Sequence, residues 1–112
     1  MRLEQTILKN LIYNDDYTRK VLPFLKPEYF TENTDRTVFK TINDFVQTYN
    51  STPTIEAIEL AIQERRNLTD VEVEGCKQSL QEITSVTFEK PELQWLIDKT
   101  ENFCQERAIY IA

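Results

Sequence analysis

Apolar residues recur every three or four positions along almost the whole chain, with polar residues filling the gaps. That period is helical. Leu3, Ile7, Leu8, Leu11 and Ile12 form one stripe and predict a first helix over about 3–12. Asn14 can cap a short second helix, with Asp15 and Asp16 in its first turn, where they favour the helix dipole. Val21 and Leu22 close it, and Pro23 and Pro27 forbid a long continuation. The stretch LKPEYF reads as a single helical turn that tucks Tyr29 and Phe30 inward. The widest stripe is Val38, Phe39, Ile42, Phe45, Val46 and Tyr49. It predicts a third helix, capped by Asn33 or Thr34, that forms the spine of the core.

Pro53 biases Thr52 away from helical angles, so the third helix must end before it. Thr54 can cap a fourth helix whose buried side is Ile55, Ile58 and Ile62, assisted by Ala61. A polar link over 65–68 follows. Thr69 and Glu72 then have the spacing of a capping box. The fifth helix behind it carries Val73, Cys76, Leu80 and Ile83 at steps of three and four. Pro91 is placed to start a sixth, with Leu93, Leu96, Thr100, Phe103 and Tyr110 as its stripe, widened by Ile97, Cys104 and Ile111. Two such helices joined by a short link predict an antiparallel hairpin. The fold class is therefore all-α. The expected layout is a helical head of about four helices over 1–66, then a helical hairpin over 67–112. No capping signal closes the last helix, which is expected to continue beyond Ala112.

Composition narrows the function. The 112 residues suit one domain, and 40% hydrophobic content suffices for a core. The one glycine, Gly75, argues against β-rich folds and excludes a glycine-rich phosphate loop. A net charge of −6 repels phosphate backbones. No histidine is present, which removes the commonest metal ligand and the usual general base. Cys76 and Cys104 match no metal-binding spacing and read as buried thiols of a reducing compartment. Asp15 and Asp16 read as helix-terminal charges rather than a metal pair. The serines have no histidine to activate them. No catalytic, cofactor-binding or metal residue is expected in these residues, and no membrane span. Trp95 lies off the sixth helix's stripe, beside Lys99, Asn102 and Glu106. It is either an interface anchor or packs against Phe88 on the preceding link.

Four stretches in order resemble one known family: ILKNLIYNDDYTRKVLPFLKPEYF, VFKTINDFVQTY, STPTIEAIELAI and WLIDKTENFCQERA. Each is an apolar helical pattern, and their order and spacing make the likeness specific. They resemble the N-terminal domain of DnaB-like replicative DNA helicases, in the branch found in T-even-type tailed phages. Bacterial members have a more basic, His-containing start to the third helix, where ENTDRTVF stands here.

The resemblance implies a collar domain that supports assembly of a six-membered ring and docks primase at the replication fork. It implies self-association through the hairpins and a possible contact with a helicase loader. Single-stranded DNA would be engaged only through the ring, in the cytoplasm of an infected bacterial host. ATP and Mg would belong to a motor domain outside these residues. The candidate subunit or partner contacts are Cys76, Leu80, Leu93, Trp95, Leu96, Phe103 and Tyr110. On that reading Leu96→Asp weakens assembly more than it unfolds the head. Two other classes compete. One is a self-contained adaptor or inhibitor that binds a replication or host protein. The other is a helix-turn-helix regulator, disfavoured because Glu56, Glu59 and Glu64 would face phosphates.

Overall fold

A computed structural model describes residues 2–85 and 87–111, with the side chains of 110 and 111 outside the description. Among the described residues six α-helices and two 3-10 turns follow one another: α1 (Leu3–Tyr13), α2 (Asp15–Val21), turns at Leu22–Phe24 and Pro27–Tyr29, α3 (Asn33–Tyr49), α4 (Ile55–Glu64), α5 (Asp70–Thr84) and α6 (Leu93–Ile111). The described residues contain no strand.

Local chemistry sets most boundaries. Asn14 ends α1 and starts α2, its side chain accepting from the Tyr17 amide. Thr18 then donates its hydroxyl to the Leu11 carbonyl at 2.8 Å, which fastens α2 back against α1. Pro23 and Pro27 each sit at the start of a 3-10 turn, where a missing amide costs nothing. The second turn buries Tyr29 and Phe30, as the sequence predicts. Thr54 caps α4 through the Ala57 amide, and Thr69 with Glu72 forms the capping box of α5.

Two caps differ from expectation. Neither Asn33 nor Thr34 caps α3; Glu32 takes the cap position without a side-chain bond. The Asn33 amide group donates instead to Glu72, 3.1 Å away, so a tertiary contact has displaced the local one. Helix α6 starts at Leu93 rather than at Pro91. The Glu92 carboxylate accepts from the amides of Gln94 and Trp95, and its carbonyl accepts from Leu96. At the other end of α3, Asn50 adopts the left-handed conformation (φ 54°) and closes the helix.

The pairing of helices is where the structure departs most from the expected layout. Helix α5 packs mainly on α1, α3 and α4, whereas α6 packs on α2 and the Pro27–Tyr29 turn. The two are not each other's principal neighbours. Cys76, Leu80 and Ile83 of α5 and Leu96 and Phe103 of α6 all enter one core with Ile7, Leu8, Leu11, Val38, Phe39 and Ile42. Phe30 ties the halves together. Its ring stacks on Phe39 at 5.1 Å and meets Phe103 at 5.7 Å. Tyr17 adds a buried hydrogen bond to Thr100 at 2.6 Å, linking α2 to α6.

Candidate protein–protein surfaces

Catalytic constellations are missing from the described residues. No group of three or more Cys, Asp or Glu side chains is placed to hold a metal. Both cysteines are free. Burial pushes both thiols above their ordinary value, away from the reactive thiolate. Burial likewise raises the Tyr17 phenol, despite its bond to Thr100, so it serves as a hydrogen-bonding strut. Asp35 is wholly buried, and desolvation raises its carboxyl while Arg2, 3.1 Å away, opposes the shift. This pair fixes the start of the chain to α3. It lines no cleft with a nucleophile.

What remains is surface. Of the seven candidate contact residues, Cys76, Leu80, Leu96 and Phe103 are core. Their side chains are enclosed by this chain and cannot reach a partner without unfolding it. Leu93 is half-buried and packs against the same core. The side chain of Tyr110 lies outside the described residues. Trp95 alone among the described candidates stands out, 51% exposed. Its proposed neighbour Phe88 pairs instead with Tyr13, ring centroids 5.3 Å apart. Of the α6 stripe, Leu96, Thr100 and Phe103 are buried, while the side chains of Tyr110 and Ile111 lie outside the described residues. Those three are enclosed on the side of α6 that packs on α2 and the Pro27–Tyr29 turn.

An exposed aromatic that the sequence pattern does not single out lies on the first 3-10 turn. Phe24, at the end of the first 3-10 turn, is 68% exposed. It borders a groove of about 340 Å³ between α2 and α6, lined also by Val21, Ile97, Thr100 and Cys104, with Lys20 and Glu101 at its edge. Its signal was the pair Pro23 and Phe24, since a proline-started turn of three residues cannot turn every apolar side chain inward. Among the described residues no helix is long and apolar enough to cross a membrane.

The family description "DnaB-like helicase N terminal domain" matches residues 1–97. The chain belongs to the DnaB-like helicase N-terminal domain family. It is similar to the "DnaB-like replicative helicase" of Enterobacteria phage T4, with 33% identity over 109 residues. That alignment covers 96% of this chain and 22% of the relative, so the chain spans about a fifth of the relative's length. The matched region runs through the start of α6, so it includes both Trp95 and the Phe24 turn. Within this DnaB-like domain the interior is committed to one core, and Trp95 and Phe24 are exposed aromatics of the kind that anchor interfaces.

Proposed function

We propose that this domain is the collar of a phage replicative DNA helicase, supporting assembly of a six-membered ring and docking primase at the fork. The observation that carries the reading is the near-complete match of this chain to a phage replicative helicase, on a domain whose exposed aromatics sit outside its core. A surface of this kind suits binding. The motor that binds ATP and Mg and moves along single-stranded DNA would lie in the further part of a longer chain. The ring, and not this acidic domain, would hold the DNA. Self-association would use the Trp95 face of α6 and the Phe24 groove, and a helicase loader is a further candidate partner. The setting would be the cytoplasm of the infected bacterium.

The test is binding of the cognate primase to immobilised full-length protein, with and without residues 1–112. The proposal expects binding to depend on these residues and to be recovered by the isolated 112-residue chain. Equal binding with the domain deleted would contradict it.

A further inference from the structure

The charge of this chain is unevenly placed. Residues 44–74 hold seven acidic and two basic side chains, a net of −5 out of −6 for the whole chain. Part of that charge is already used inside the fold. Arg65 donates to Asp44 at 3.1 Å and to Thr41 at 3.2 Å, and Glu72 closes the capping box of α5. Glu56, Glu59 and Glu64 on α4 join no ion pair among the described residues.

Glu56, Leu60 and Glu64 follow at i, i+4 and i+8, so they stand in one line along α4. Their two carboxylates are separated by about 12 Å of helix rise. Leu60 between them is 58% exposed. Beside this line runs a groove of about 310 Å³ between α3 and α4, lined by Phe45, Thr48, Tyr49, Ala61 and Glu64, with Thr41 and the Arg65–Asp44 ion pair also on its wall. Phe45 and Tyr49 form its aromatic wall, ring centroids 4.7 Å apart, and Tyr49 is 65% exposed. The groove lies where α3 runs about two turns past Ile42, its last fully buried residue, and carries Phe45 and Tyr49 beside the half-buried Val46.

We propose that the α3–α4 face docks a basic amphipathic helix of a partner protein. Two Lys or Arg side chains about two turns apart would meet Glu56 and Glu64. An apolar side chain between them would cover Leu60 and enter the groove against Tyr49 and Phe45. Charge selects this occupant. Nucleic acid and anionic lipid surfaces are repelled by the same carboxylates. A second copy in a two-fold contact would set acid against acid. The inference rests on this face alone. Primase docking elsewhere on the domain would leave it intact.

The probe is a fluorescein-labelled synthetic amphipathic helix of leucine and lysine, titrated into the ¹⁵N-labelled chain, beside the same peptide with glutamate for lysine. Amide shifts should concentrate over 45–49 and 56–65. Tyr49→Ala and Glu64→Gln, both at exposed positions, should each weaken binding about ten-fold or more. The glutamate peptide should not bind. Three results would overturn the proposal: no binding of the lysine peptide, shifts spread evenly over the acidic residues with Tyr49→Ala unchanged, or equal binding of the glutamate peptide.

Discussion

Leu96→Ala separates a core role for α6 from an assembly role. The Leu96 side chain has no exposed surface and sits in the same cluster as Leu8, Phe30 and Phe39. Truncation removes three buried carbons and leaves a cavity in a close-packed interior, a change that costs roughly 2–5 kcal/mol. Helix α6 is held to the rest by Leu96, by Phe103 against Phe30, and by the Tyr17–Thr100 bond, so its neighbours cannot collapse freely into the gap. A loss of about 3 kcal/mol in a domain of this size lowers Tm by on the order of 10 °C. Trp95→Ala, one residue away on an exposed face, should change stability by no more than about 0.5 kcal/mol. Thermal melts followed by circular dichroism, with light scattering on the same samples, read both quantities. If Leu96→Ala melts with the wild type but loses mass, the residue faces a partner and the packing of α6 described above is wrong. The pair of variants reverses the expectation drawn from the sequence, in which Leu96 was an assembly residue.

Two further outcomes follow from particular contacts. A Cβ on Gly75 would lie 2.9 Å from Thr34 Cγ2, so Gly75→Ala should forfeit the helix-propensity gain of about 1 kcal/mol, while Thr34→Ser combined with Gly75→Ala should recover it in a denaturant double-mutant cycle. Hydrogen bonds from the Thr69 amide, the Thr69 hydroxyl and Asn33 lower the Glu72 carboxyl below its ordinary 4.5. Its stabilising contribution is therefore present above that value and is lost as pH falls through the lowered one. Glu72→Gln should flatten that part of the stability–pH curve, and an unchanged acid limb would refute the assignment.

Sequence signals that depend on neighbours in the chain were legible. Asn14, Thr54 and the Thr69–Glu72 box mark helix starts because their side chains reach amides two or three residues away. Tyr29 and Phe30 were readable as buried because two prolines force a compact turn beneath them. What depends on other helices was not legible. The stripes of α5 and α6 look alike, so periodicity identifies a buried face without saying what covers it. Asn33 is a good cap by type, yet its side chain goes to Glu72 on another helix. Glu92 is an unusual cap by type and was overlooked, although its carboxylate holds two amides of α6. The stripe of α3 predicts core to its end, whereas Tyr49 extends beyond the helices that could bury it. Candidate contacts chosen from stripes were for that reason mostly interior residues. Trp95 is legible because it breaks its stripe, and Phe24 is not, because a short turn has no stripe to break.

We propose that assembly of a six-membered ring depends on this DnaB-like domain. The most direct measurement is the native mass of the full-length protein, with residues 1–112 present and deleted, at one protein concentration. The intact protein should have a six-fold mass, with a shift to smaller species when the domain is removed. An undiminished six-fold mass after deletion would contradict it.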